Sequence, residues 1–448
     1  MTAESGREAV SVIVPFAGNA DDARATLLAL QRIAFGPTDE AIVVDNSAAS
    51  VFATLEHPQP IRIVVATKEP SSFYARNVGA EHAKNEWFLF IDSDCLPPSS
   101  LIDDYFVDGI AEDVGAVAGA VLPADVAMGL LGSYKSFRRH LDQSKSMGSK
   151  KPSAATANLL VRRTAWAELG GFSEGIRSGG DIDFCWRLSA AGWKLAYEPR
   201  AEIRHLHRDT FKAHAAQQIR YGGAHLWLRR RYPETRKSRP LAIQLPLSTA
   251  GAVRRAAVGD WQWSLFHLLD GLTAVLLSVG KLRGNRAARS TSGSTATVVV
   301  ASWPDASAED PRIVVTKAVE KSEGVRVEAR HRPVRVARSA MNELPADYME
   351  DDSPLDALRG VAWLVLRRPR QTTRSVLRKK NRVDLGTLTR LAPAARRMAQ
   401  SGGHHVHALD TPSASDARAL ADLIGATFTT GDGAVVSVDM ERLSRSSP

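Results

Sequence analysis

Phe88-Leu89-Phe90-Ile91-Asp92-Ser93-Asp94-Cys95 is an apolar run that ends abruptly in two carboxylates one residue apart. Apolar on both faces and bounded by polar turn residues, Phe88 to Ile91 reads as a buried strand. In an open α/β sheet, ligands bind just beyond the carboxyl ends of the strands. Asp92 and Asp94 therefore emerge where a ligand sits. Two carboxylates this close repel each other unless a cation lies between them. A hard divalent ion, Mg²⁺ or Mn²⁺, bridging to substrate phosphates meets that need. The same Asp-Ser-Asp also reads as a turn that caps a helix starting near Pro97; its surroundings favour the ligand site.

Upstream, Val10 to Pro15 is a β-branched run and a predicted first strand. Asn19, Asp21 and Asp22 supply a helix start, and Ala23 to Ile33 has helical spacing of apolar residues. Ala41 to Val44 reads as a second strand, ending in Asp45-Asn46-Ser47, and Ile61 to Val65 as a third. Ser71 to Ala83 reads as a helix carrying Arg76 and Asn77. Strand and helix alternating at this spacing predict an α/β fold, a mostly parallel sheet flanked by helices and built by right-handed crossovers. Asp45 then shares the carboxyl edge with Asp92 and Asp94.

Downstream, Gly115 to Val121 reads as a strand of small residues, and Gly132 to Lys151 as a polar, basic, mobile flap. Asn158 to Val161 is a short strand, followed by a helix from Arg163 to Leu169 that Gly170-Gly171 stops. Asp181 begins the next helix. The helix dipole favours a negative charge there, so the expectation is an ionised carboxylate able to take a proton from a hydroxyl. A simple N-cap is the other reading. Asp183 and Arg187 stand four apart and pair, which makes Asp183 structural. Ala201 to Arg208 reads as a strand with His205 and His207 on one face, either as metal ligands or as ordinary strand residues. The following helix carries Gln217, Arg220 and Tyr221, then Arg229-Arg230-Arg231.

At 448 residues the chain exceeds one ordinary core. A net charge of +9 and a pI near 9.6 favour anionic partners. Two cysteines, Cys95 and Cys185, make no disulfide framework, and the N-terminus has no basic-then-apolar leader pattern. A cytoplasmic chain is expected. Trp261 to Val279 is the most apolar stretch; its central Asp270 argues against a free membrane span. Tryptophans and basic flanks suit a helix lying at an anionic membrane surface, with an ordinary buried helix as the alternative. Beyond a Ser/Thr/Gly-rich linker, strands are expected at 297–300, 313–315, 325–329, 361–366, 404–408 and 435–438, with a helix at 416–425. Arg367 to Arg382 is strongly basic, but no aromatic residue interleaves it, so nucleic acid is not expected. The cluster His404, His405 and His407 reads as a strand end before it reads as a metal site.

Taken together, Val12-Ile13-Val14-Pro15, Val43-Val44-Asp45-Asn46-Ser47, Ala75-Arg76-Asn77-Val78-Gly79, Ile91-Asp92-Ser93-Asp94, Leu169-Gly170-Gly171-Phe172, Gly180-Asp181-Ile182-Asp183-Phe184 and Ala201-Glu202-Ile203-Arg204-His205 line up with a family. In that order and spacing, residues from about 9 to 232 resemble the inverting family-2 glycosyltransferases of the GT-A fold. The resemblance implies a nucleotide-sugar donor contacted by Pro15, Asp45, Arg76, Asn77, Asp92 and, on the diphosphate, Arg220. It implies a metal held by Asp94 with Asp92 and His205, and Asp181 as general base. It departs from the family at Gly180, where an acidic residue usually precedes the catalytic aspartate. The acceptor would be a hydroxyl of a glycan, lipid-linked or small-molecule compound, and the enzyme would work in the cytoplasm or peripherally at the inner face of the plasma membrane.

The expected division is a GT-A domain over 8–250, a membrane-associated helical segment over 251–289, a linker over 290–296, and a smaller Rossmann-like α/β unit over 297–448. That last unit weakly resembles the N-terminal half of a GT-B enzyme. Two other classes compete. A nucleotidyltransferase would need a Gly-rich basic loop after the first strand, and Phe16-Ala17-Gly18-Asn19 is not one. A non-catalytic scaffold would not need Asp45, Asp92, Asp94, Asp181 and His205 together.

Overall fold

A computed structural model describes residues 7–124, 129–138, 142–206, 210–235, 239–287, 296–302, 325–336, 346–377, 383–403, 405–430 and 435–436. His207, His404, most of the linker (290–295), the strand expected at 313–315 and positions 378–382 lie outside the described residues. The chain forms two compact units. The first comprises Met1–His225, Arg236–Gly280 and Ala287–Arg289, and the second Leu226–Thr235, Lys281–Arg286 and Ser290–Pro448.

The first unit is built on one sheet of β1 (Val10–Phe16), β2 (Glu40–Asp45), β3 (Ile61–Val65), β4 (Trp87–Ile91), β5 (Cys95–Leu96), β6 (Val114–Pro123), β7 (Asn158–Arg162) and β8 (Lys194–His205). The order is β3-β2-β1-β4-β7-β6-β8-β5. β1 to β4 run parallel, as the alternation of strand and helix predicts, and β6 is parallel to β8. β7 is antiparallel to β4 and β6, and β5 to β8, so the sheet is mixed. β1, β2 and β4 are buried on both faces, which is why their sequences lack alternation.

Aromatic packing ties the later helices to β4. Phe90 meets Trp166 at 5.2 Å between ring centroids, Trp166 meets Phe172 at 4.9 Å, and Phe172 meets Phe184 at 5.1 Å. Each such pair is worth about 0.5–1.5 kcal/mol beyond burial. This chain of rings fixes helix Gly180–Ala190, and with it Asp181, against the sheet. Helix Arg163–Leu169 stops as expected, with Gly170 left-handed at φ 69°.

Several expectations change. No helix starts near Pro97: Cys95–Leu96 pairs with β8 first, and a short helix follows at Leu101–Asp104. The supposed flap holds two helices, Leu130–Arg138 and Gln143–Met147. Its charges are not simply solvated, because Lys135 is buried and Arg138 pairs with Asp270. β8 begins at Lys194, seven residues before the expected start, in a half-exposed stretch with no apolar pattern. The apolar segment after residue 260 is one helix, Trp261–Arg283, and Asp270 within it accepts from Tyr134 Oη at 2.8 Å and Arg138 Nε at 3.0 Å.

The second unit holds a smaller sheet of β9 (Ala296–Ser302), β10 (Val325–His331), β11 (Ala346–Tyr348), β12 (His405–Ala408), β13 (Thr427–Thr430) and β14 (Val435–Val436), in the order β11-β10-β9-β12-β13-β14. All pairs are parallel except β13 with β14. Counted within the unit, the parallel strands run 3-2-1-4-5, the Rossmann-like order of doubly wound sheets. Val361 to Leu366, expected as a strand, lies inside helix Pro354–Arg367.

Candidate active site

Three strand ends and two helix starts converge at the carboxyl edge of the first sheet. β1 pairs with β4 only over Val10–Ile13, while its pairing with β2 continues to Phe16. The sheet therefore opens between β1 and β4 beyond Ile13. Pro15 sits in that opening, where a missing ladder N–H costs nothing. β4 ends at Ile91, and a tight turn closed by Cys95 N donating to Asp92 O (3.1 Å) carries Asp92-Ser93-Asp94. Thr26 Oγ1 donates to Ser93 O at 3.2 Å and holds the turn.

β5 decides where Asp94 goes. Cys95 is in register with His205, and Leu206 N donates to Asp94 O at 2.9 Å. The ladder thus brings His205 Nε2 to 3.2 Å from Asp94 Oδ1. With Cys95 Sγ, these ligand atoms lie within 4.8 Å of one another. Cys95 does not fit a hard cation. Burial and then the charges of Asp92 and Asp94 push its thiol well above its usual range, and Sγ donates to Ala157 O. Asp94 and His205 do fit, offering one oxygen and one nitrogen donor at a partly open position. Asp92 is not in that cluster; it forms an ion pair with Arg76 of helix Ser72–His82. Arg76 is buried, lies 5.7 Å from the Phe73 ring centroid, and leaves its Nε without a hydrogen-bond partner. A buried guanidinium with one donor unused beside a half-exposed carboxylate is suited to an anionic or hydroxyl-bearing ligand.

Asp181 occupies the first turn of helix Gly180–Ala190. Gly179, left-handed at φ 81°, is the N-cap, and Asp181 Oδ1 accepts from the adjacent Ile182 N, at 2.9 Å. It is therefore not the cap. Burial raises its pKa above the ordinary carboxylate value; Arg76 opposes that and Asp92 adds to it. The helix N-terminus is expected to favour its charged form; burial acts in the opposite direction. Arg76 and Asp92 are close enough to influence its charge. Tyr221 joins them. Burial and then Asp181 raise its hydroxyl, while Arg220 lowers it, and Gln217 Nε2 donates to its Oη at 3.1 Å. Arg220, exposed on helix Phe211–Arg231, thus lies at the rim.

Two expected donor contacts have other work. Asn77 is fully buried: Nδ2 donates to Phe172 O (2.9 Å) and Glu174 Oε1 (2.8 Å), and Oδ1 accepts from Phe172 N (2.9 Å). It pins the loop ahead of Asp181 and has no polar atom left for a ligand. Asp45 is also buried, and its carboxylate accepts from Ser47 N, Ser50 Oγ and Val51 N at 2.9–3.1 Å. It shapes the loop after β2. Asp183 is structural as predicted, bonded to Arg187 Nε (2.9 Å) and Ser173 Oγ (2.8 Å). Sequence reasoning missed Phe73, whose ring lies where a side chain on residue 180 would project. An aromatic four residues from Glu69 and three from Arg76 gave no signal by itself.

The family profile described as glycosyltransferase like family 2 matches residues 7–224. The pre-mycofactocin glycosyltransferase of Mycobacterium tuberculosis is 28% identical over 301 residues, spanning 62% of this chain and 57% of that protein. Glycosyltransferase AglE of Haloferax volcanii is 28% identical over 197 residues, 42% of this chain and 64% of its own. The chain thus covers less than two thirds of either relative. Among solved structures, mannosyltransferase PcManGT from Pyrobaculum calidifontis, in complex with GDP-Man and Mn²⁺, aligns with a TM-score of 0.46 and 18% identity over 62% of this chain and 88% of that one.

Proposed function

We propose that the chain, whose residues 7–224 form a domain of the glycosyltransferase family 2 type, moves a sugar from a nucleoside diphosphate donor, a UDP-sugar foremost, to an acceptor hydroxyl with inversion. The observation that carries this reading is the convergence of the Arg76–Asp92 pair, the Asp94–His205 pair and a half-buried Asp181 of raised pKa on one sheet edge.

The chemistry follows from those groups. A carboxyl whose pKa lies above the usual range is a stronger base once ionised, and so better matched to a hydroxyl proton. Asp181 takes the acceptor proton as the oxygen attacks the anomeric carbon; the C–O bond to the diphosphate breaks on the opposite face. Arg76, fixed by Asp92, and Arg220 at the rim supply positive charge near the leaving group. Asp94 and His205 would hold a Mg²⁺ or Mn²⁺, which when bound would neutralise charge on the diphosphate, while Asp92 stays on Arg76. No covalent enzyme intermediate is needed. Glycan, lipid-linked and small-molecule hydroxyls are all acceptor candidates.

The face of helices Leu241–Ala257 and Trp261–Arg283 supports a peripheral place on a membrane. The second helix is long and apolar enough to cross one, with a mean hydropathy of 1.5 and 28% of its apolar window buried. Ile243, Leu247, Val253, Trp261 and Leu268 are exposed on the two helices. Asp270, bonded to Tyr134 and Arg138, ties the second helix to the catalytic unit.

The test is a panel of nucleoside diphosphate sugars, with binding measured by calorimetry with and without chelator. Metal-dependent binding of one donor, followed by transfer to a hydroxyl with inverted anomeric configuration by NMR, is the expected result. A product of retained configuration, or a nucleotidyl product, would overturn the reading.

A further inference from the structure

Helix Pro354–Arg367 in the second unit is amphipathic, yet part of its apolar surface points outward. Its inner side carries Gly360 and Leu364, both buried. A Cβ on Gly360 would come within 2.6 Å of the Ala392 backbone, so the helix lies directly against Leu385–Gln400. The opposite side carries Leu358, Ala362, Val365 and Leu366, spaced i, i+4, i+7 and i+8, and all four are exposed. That spacing makes one continuous stripe. Leu366 is 78% exposed and Leu358 65%. The next helix, Pro369–Leu377, ends in an equally exposed Leu377.

The charge beside the stripe has one sign. Arg359, Arg367, Arg370 and Arg374 are exposed on these two helices, and among the described residues no carboxylate pairs with them. Residues 354–377 thus hold five basic residues against one acid, Asp356, a net +4.

We infer that this face is a second docking surface, and that its occupant is an anionic lipid bilayer. Exposed leucines and valine insert among acyl chains, and arginines around them meet lipid phosphates. A nucleic acid would use the arginines but gain nothing from a Leu–Val–Leu stripe, and the aromatic of these helices, Trp363, is partly buried against the unit's own core and not set among the arginines. A second copy of the chain, meeting across a two-fold axis, would bring like charges together. The surface lies outside residues 7–224 and does not depend on the transferase reading.

Flotation of the full chain tests it, using vesicles of phosphatidylglycerol and phosphatidylcholine in equal parts and of phosphatidylcholine alone. Binding to the anionic vesicles only, weakening as salt rises, is expected. Arg370→Glu with Arg374→Glu should weaken it roughly 30-fold. Val365→Ser with Leu366→Ser should weaken it roughly tenfold. Both pairs should melt like the parent, because the side chains are exposed. Absence of binding at low salt overturns the inference, as does binding untouched by either pair, which would leave the membrane to the first unit. A DNA duplex competing for the site with no effect of the serine pair would reassign it to nucleic acid. Self-association abolished by the serine pair would reassign it to a second copy.

Discussion

A Cβ on Gly180 would stand 2.9 Å from the Phe73 ring, closer than real contacts allow. Phe73 is itself held, against Phe172 at 5.6 Å and beneath the Arg76 guanidinium. The missing acidic neighbour of Asp181 is thus a packing exchange: an aromatic from helix Ser72–His82 fills the space. Gly180→Glu should overpack the site, cost about 1–3 kcal/mol in stability, and weaken donor binding by displacing Arg76. Phe73→Ala in the same chain should recover part of the melting loss. Thermal melting of the two single variants and the double checks this; strictly additive losses would mean that the two residues do not compete for space.

Asp181→Asn separates base from scaffold. Burial raises the folded carboxyl above its ordinary 3.8, so the folded chain holds that proton more tightly than the unfolded one. Stability therefore falls as pH rises through the window between 3.8 and the raised value. Asparagine removes that loss, and at neutral pH the variant should melt at or above the parent. Turnover should drop about 10²–10⁴-fold. The parent's rate should also lose its acid limb at a pH above the usual carboxylate range. Lower melting with near-native turnover would make Asp181 structural.

How much of this was legible divides by distance along the chain. β1 to β4 are apolar runs ending in polar turns, and the sequence marks them to within a residue or two. The strand-end carboxylates follow from that reading. The role of Asn77 does not, because its partners Phe172 and Glu174 lie 95 and 97 residues away. Neither does the flap, whose Arg138 finds Asp270 132 residues later. Val361 to Leu366 is ambiguous for a local reason. An apolar run without period fits strand or helix, and the deciding signal was the capping box Ser353–Asp356 with Pro354 at the helix start.

The Asp94–His205 pair predicts how the site answers to metal removal. Asp94→Asn and His205→Gln should each weaken metal-dependent donor binding by at least the 10–100-fold typical of metal-site partners. Chelator should cost the parent a comparable factor and the variants little more, because removing the ion and removing its ligand delete one interaction. Calorimetric titration of donor, with and without chelator, checks this. Unchanged parent affinity in chelator would leave Asp94 and His205 as a structural contact between strand ends.

Asp270 offers the last test, of what holds helix Leu130–Arg138. It accepts from Tyr134 Oη and Arg138 Nε, on side chains about a third exposed or less. Asp270→Asn leaves Arg138 without its charge partner and should cost about 1–2 kcal/mol. Burial, more than the Asp270 charge, pushes the Tyr134 hydroxyl up to about 12. Folding therefore favours the protonated phenol, and stability should decline as pH climbs from about 10 toward 12. In Asp270→Asn the helix should loosen, cleavage by trypsin at Arg138 should quicken, and one tyrosine should titrate closer to 10 by ultraviolet absorbance. Tyr134→Phe removes that absorbance change and keeps the Arg138–Asp270 pair, so its helix should resist trypsin better than that of Asp270→Asn. Equal cleavage of the two variants would mean that the hydroxyl, and not the ion pair, fastens the helix.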